Sequence, residues 1–120
     1  MKKILIVDDE PNIVMTLEYT FKKSNYEVFI ARDGQEALDI LKTNFPDVII
    51  LDIMMPMVDG FATLVQIRKD DNLQHTKVMF LSAKNKESDI EKGLALGADA
   101  YMTKPFSIKK VVEKVEKLLL

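Results

Sequence analysis

The chain has 120 residues, 48% of them hydrophobic and 30% charged, with 17 Lys and Arg against 19 Asp and Glu and a formal net charge of −2. That length suits a single domain over residues 1–120 with a sizeable core, and the charge balance, with no basic stripe, points away from nucleic acid and from membrane surfaces. There is no cysteine, which excludes disulfides and thiol chemistry, and no apolar run approaches the roughly 20 residues of a membrane span, so a soluble, cytoplasmic protein is expected.

The first apolar run, Ile4-Leu5-Ile6-Val7, is too short for the apolar region of a signal peptide and reads as a buried strand over 3–7. Pro11 suits the first turn of a helix, and Ile13, Val14, Leu17 and Phe21 then recur at helical spacing. A more mixed run at 27–31 reads as an edge strand. Asp33-Gly34-Gln35-Glu36 resembles a capping box for a second helix, with Ala37, Ile40, Leu41 and Phe45 as its buried stripe. A third strand is expected over 47–51. Asp59 is placed to cap a third helix that buries Phe61, Leu64, Val65 and the stem of Arg68. A fourth strand follows over 77–81, then a helix from about Lys86 to Leu96 that stops at Gly97. The fifth strand is expected over 99–102, and Ser107 opens a last helix burying Ile108, Val111, Val112, Val115, Leu118 and Leu119.

The first, third and fourth runs are continuous aliphatic blocks without alternation, as parallel strands covered on both faces require. Five strand–helix units with right-handed crossovers make an α/β, doubly wound sheet. Each chemically active stretch then falls where a strand ends: Asp8-Asp9, Asp52, Ser82 and Lys104-Pro105. In an open α/β sheet that edge is where ligand sites form. Three carboxylates in one small space repel unless a cation joins them, which predicts a hard divalent metal; the lysine and hydroxyl predict an anionic group beside it. A flavodoxin-like strand order, 2-1-3-4-5, would bring Asp9 and Asp52 together.

In order along the chain, Ile6-Val7-Asp8-Asp9-Glu10, Leu51-Asp52-Ile53-Met54-Met55-Pro56 with Asp59-Gly60, Leu81-Ser82-Ala83, Gly97-Ala98-Asp99 and Lys104-Pro105-Phe106 resemble the receiver domain of bacterial two-component response regulators. No single piece is decisive; the ordered set, spread through the chain, is specific. The resemblance implies a (βα)5 flavodoxin-like parallel sheet of order 2-1-3-4-5 with helices on both faces. It implies that Asp52 is the phosphoacceptor and that Mg²⁺ is held by Asp8, Asp9, Asp52 and the backbone carbonyl of Met54, Asp9 directly and Asp8 mostly through water. By the same resemblance Lys104 pairs with the phosphoryl group, Ser82 is the switch hydroxyl, and Tyr101 is the aromatic residue that swings inward when that hydroxyl moves. The partners implied are a sensor histidine kinase or phosphotransfer protein and a downstream target or effector domain, whether the chain stands alone or is part of a longer regulator. No chemistry is implied beyond the domain's own phosphorylation and dephosphorylation.

The resemblance also implies that the positions two residues beyond Asp52 and Ser82 tune hydrolysis; here Met54 offers no polar group there, and Lys84 accepts no proton while charged. Ala100, Lys110 and Lys114 stand where receivers that dimerise through a salt-bridged surface carry two acids and an arginine, which argues against that type of dimer. His75, the only histidine, lies in a polar stretch and reads as an exposed loop residue. Three rivals remain to be weighed. An aspartate-nucleophile phosphohydrolase would place its nucleophile after the first strand in an Asp-x-Asp pattern. A non-phosphorylated module of the same fold would be expected to lack an acid or the lysine. A flavin or nucleotide binder would need a phosphate-cradling loop where Asp8, Asp9 and Glu10 repel phosphate.

Overall fold

The structure, a computed structural model, describes residues 1–120. Its elements run β1 (Lys3–Val7), α1 (Pro11–Lys23), β2 (Glu27–Ala31), α2 (Gly34–Ile40), β3 (Val48–Leu51), α3 (Gly60–Lys69), a 3₁₀ turn (Asp71–Leu73), β4 (Lys77–Ser82), α4 (Glu87–Ala95), β5 (Ala100–Thr103) and α5 (Ile108–Leu118). All strands are parallel, in the order β2-β1-β3-β4-β5. This is the flavodoxin-like architecture expected from the sequence, and no helix is long and apolar enough to cross a membrane.

The continuous aliphatic runs are explained by two cores. Alternate residues of the central strands (Leu5, Val7, Ile49, Leu51, Val78 and Phe80) face α2 and α3, where they meet Ala37, Leu64 and Ile67. Their neighbours Ile4, Ile6, Val48, Ile50, Met79 and Leu81 face α1 and α5, where they meet Leu17, Phe21, Val111 and Val115. Neither face of these strands reaches water, so neither accepts polar residues.

The helix starts are built as their sequences suggest. Asp33 accepts a bond from the Glu36 N–H at 2.8 Å, Asp59 from Ala62 at 2.8 Å and Ser107 from Lys110 at 3.4 Å. Pro11 opens α1, and Gly97, at φ +110°, ends the chain segment after α4. Two expectations shift. The chain leaves α2 at Ile40, and Phe45 is 48% exposed rather than part of the buried stripe; Phe45 precedes Pro46, whose ring disfavours the helical conformation there. On α3 Phe61 and Leu64 are buried as expected, together with Gly60, Thr63 and Ile67, while Val65 is only half-buried. Thr63 is buried because its hydroxyl bonds back to the Asp59 carbonyl at 2.8 Å while it packs against Gly34 of α2.

Candidate functional site at the carboxyl edge of the sheet

Strand register sets the site. Val7 pairs with Leu51, so Asp8 and Asp52 leave adjacent strands at the same level. The ladder continues one step past each: the Asp8 N–H bonds to Ala31 O at 3.1 Å and the Asp52 N–H to Val7 O at 2.9 Å. On the other side Ser82 pairs with Thr103, and the Lys104 N–H bonds to Ser82 O at 2.8 Å. Four backbone positions are thereby fixed before any side-chain contact forms.

Lys104 reaches across this edge. Its ammonium lies 2.9 Å from Asp8 Oδ2, 2.9 Å from Glu10 Oε1 and 3.5 Å from Asp52 Oδ2. The remaining oxygens of the two buried aspartates are held by backbone: Asp8 Oδ1 accepts from the Glu10 N–H at 2.9 Å, and Asp52 Oδ1 from the Ile53 N–H at 2.8 Å. Burial pushes the Asp52 carboxyl above its ordinary value, and the charge of Asp8 adds to the rise. Burial likewise raises Asp8 against the opposing pull of the Glu10 N–H and of Lys104. For Lys104, burial favours the neutral amine, but its hydrogen bonds to Glu10 and Asp8 and the charge of Asp52 outweigh it and raise the pKa, so the ammonium stays charged.

Carboxylate oxygens of Asp8, Glu10 and Asp52 all lie within 4.8 Å of one another. Three carboxylates against one ammonium leave surplus negative charge among oxygen donors, which fits a hard divalent cation by charge and donor type. The structure therefore brings Asp8, Asp52 and Lys104 together as the sequence suggests and adds Glu10. Asp9 stands outside that trio but beside it: it is exposed and, with Met54, Met55, Asp59 and Lys84, lines an open cleft of about 580 Å³ at the mouth of the site. Met54 is itself 59% exposed.

The loop after Asp52 closes tightly over it. The Gly60 N–H bonds to Ile53 O at 2.9 Å, and a Cβ at Gly60 would run into the Asp52 carbonyl oxygen and lie 2.7 Å from Ile53 Cα. Only glycine fits there. Ser82 is buried and its hydroxyl accepts the Lys84 N–H at 3.2 Å. Tyr101 is half-buried, and its hydroxyl donates to the Lys84 carbonyl at 2.7 Å, so it is tied to the loop after β4 rather than left in water. Its ring stands 5.7 Å from that of Phe80, which meets Phe61 at 5.6 Å. The Lys104–Pro105 peptide bond is cis. His75 is exposed in the segment before β4, away from these residues.

Sequence reasoning passed over two residues. Glu10 carried a signal, being the third consecutive acid after a buried strand. Arg68 carried almost none beyond its stem: its guanidinium bonds Gly97 O and Thr76 O at 2.9 Å each, Leu73 O at 3.4 Å and Asp99 Oδ2 at 2.9 Å.

Fold and site together define a class. The family described as the response regulator receiver domain matches residues 4–116, and the chain belongs to it. It is a receiver domain of the two-component signalling type, and nothing in the similarity supports the phosphohydrolase alternative. Among its relatives is the alkaline phosphatase synthesis transcriptional regulatory protein PhoP of Bacillus subtilis (strain 168), 46% identical over 118 residues, which cover 98% of this chain and 48% of that protein. The chain thus spans about half the length of that curated relative. Of solved structures, the receiver domain of the Francisella response regulator 1452 is similar at TM-score 0.91 and 37% identity, covering 99% of this chain and 97% of that one. The chemotaxis response regulator CheY4 of Vibrio cholerae is similar at TM-score 0.93 and 31% identity, covering 99% of each chain.

Proposed function

We propose that Asp52 receives a phosphoryl group from a phosphohistidine on a partner protein. The observation that carries this reading is the state of the Asp52 carboxylate: buried beside Asp8, with one oxygen fixed by the Ile53 N–H and the other 3.5 Å from the Lys104 ammonium. An ionised carboxylate of this kind attacks phosphorus without a general base. The new bond joins an Asp52 oxygen to phosphorus as the phosphorus–nitrogen bond of the donor breaks, and the departing imidazole takes up a proton. Mg²⁺ is the cation we assign to the site, held by Asp8, Asp9, Asp52 and the Met54 backbone carbonyl; when bound it supplies positive charge against the carboxylates and the transferring oxygens.

The Lys104 ammonium pairs with the new phosphoryl oxygens, and the Ser82 hydroxyl donates to one of them. Phosphorylation adds charge of about −1.5 to −2. Drawing Ser82 toward that charge displaces the loop that holds Tyr101 through Lys84, so the face built by α4, β5 and α5 shifts between two populations. The upstream partner on this reading is a sensor histidine kinase or phosphotransfer protein, and the output is a target protein or an effector domain. Residues 1–120 act as one cytoplasmic receiver domain, whose only chemistry is its own phosphorylation and dephosphorylation and which engages neither nucleic acid nor membrane.

Incubation with phosphoramidate and Mg²⁺ followed by intact mass measurement tests the proposal. The protein is expected to gain one phosphoryl group, and Asp52→Asn or chelation by EDTA to abolish the gain. Labelling that survives Asp52→Asn would overturn the assignment.

A further inference from the structure

The chemistry proposed above makes no use of Glu10, yet Glu10 holds the central cation as closely as Asp8 does. It stands at the head of α1, where its backbone N–H anchors Asp8 Oδ1 at 2.9 Å. Its carboxylate and Asp8 Oδ2 both lie 2.9 Å from the Lys104 ammonium, while Asp52 Oδ2 is at 3.5 Å. An ammonium has three protons to donate; here two acceptors are close and the third, Asp52 Oδ2, is met only at the outer limit of a hydrogen bond, 3.5 Å. Asp52 Oδ1 is already engaged by the Ile53 N–H at 2.8 Å. Oδ2 is therefore the oxygen best placed to attack, and it is the one from which the ammonium is held away.

We propose that Glu10 is a positioning residue. Together with Asp8 it draws the Lys104 ammonium away from Asp52 Oδ2, leaving that oxygen only weakly engaged as a nucleophile and the cation within reach of an arriving phosphoryl group. The inference rests on the reading of Asp52 as phosphoacceptor. Without the Glu10 charge the ammonium has only Asp8 and Asp52 as close acceptors and moves onto Oδ2. Attack then requires a charge-assisted hydrogen bond to break first.

The test compares Glu10→Gln in the native and Lys104→Met backgrounds, with phosphoramidate and Mg²⁺ as the probe and the rate of phosphoryl gain as the readout. In the native background the substitution is expected to slow the gain on the order of five-fold, in keeping with loss of a half-exposed ion pair. In the Lys104→Met background the change should stay below about two-fold, because the coupling partner is gone. The ¹⁵N resonance of the Lys104 ammonium should also shift in Glu10→Gln with no phosphodonor present. Equal slowing in both backgrounds would overturn the inference, since Glu10 would then act by its own charge; so would an unchanged or faster rate. If the native protein gains no phosphoryl group, the reading of Asp52 fails, and the Lys104 resonance still decides the positioning claim: unmoved, it too is wrong.

Discussion

Asp52 is costly to the fold in the state its chemistry needs. Burial, then the charge of Asp8, holds its carboxyl above the ordinary value of 3.8. A carboxyl raised on folding contributes stability that is full below its unfolded pKa and lost as pH rises through its folded pKa. At neutral pH the ionised Asp52 therefore destabilises the native state. Asp52→Asn is expected to raise the unfolding free energy at neutral pH. The gain should shrink as the pH falls toward the ordinary carboxylate value, because the native side chain then takes up its proton. Urea denaturation at neutral and mildly acidic pH checks this, and a gap that widens on acidification contradicts it. Asp8, Asp52, Ser82 and Lys104 could be picked out because each stands at the end of an expected strand within a motif that resembles the family's. The alliance of Glu10 with Lys104 could not, since Lys104 lies 94 positions away along the chain.

The segments joining the elements owe their order to side chains as much as to backbone. Arg68, near the end of α3, clamps three carbonyls from two segments and the Asp99 carboxylate, while Asp99 also accepts the Val78 N–H at 2.9 Å. Gly97 passes so close that a Cβ there would lie 3.1 Å from the Arg68 side chain. Arg68→Ala strands these acceptors and is expected to cost about 2 to 3 kcal/mol, read as a lower urea midpoint. Arg68→Lys should recover little of it, because one ammonium does not reproduce the planar fork of donors. A full recovery in the lysine variant would show that charge alone matters there. The shortening of α2 before Phe45 has a local cause in Pro46. The burial of Thr63 on α3 does not: it follows from the close contact of Thr63 with Gly34 across the helix pair.

On the proposed reading of Tyr101 as the aromatic switch, coupling between site and surface is expected to run through the adjoining rings of Phe61, Phe80 and Tyr101, with Gly93 of α4 leaving them room. A Cβ at Gly93 would lie 3.0 Å from the Phe80 ring and 3.2 Å from that of Tyr101. The same side of the molecule is expected to bear on how long a phosphoryl group on Asp52 persists. Met54 and Lys84 line the cleft at the mouth of the site, and neither side chain accepts a proton from an attacking water. The phosphorylated protein is therefore expected to survive for minutes rather than seconds in Mg²⁺ buffer, with Met54→Asn shortening that lifetime several-fold. Loss of the acyl phosphate followed by intact mass measurement decides it. A native lifetime of seconds, or a Met54→Asn variant with an unaltered rate, would refute the argument.

Amino-acid order by itself determined the strands and helices to within a few residues, the two-sided burial of the sheet and the acids, hydroxyl and lysine at its carboxyl edge. These are local properties: apolar runs, helical spacing, caps and the residue that follows each strand. Only the tertiary structure decided that Glu10 rather than Asp9 joins Asp8 and Asp52 around Lys104, that the Tyr101 hydroxyl is tied to Lys84, and that the Arg68 head pins two loops. Those outcomes depend on register between strands distant in the chain and on the direction each side chain takes from a fixed backbone, which no short window of sequence contains.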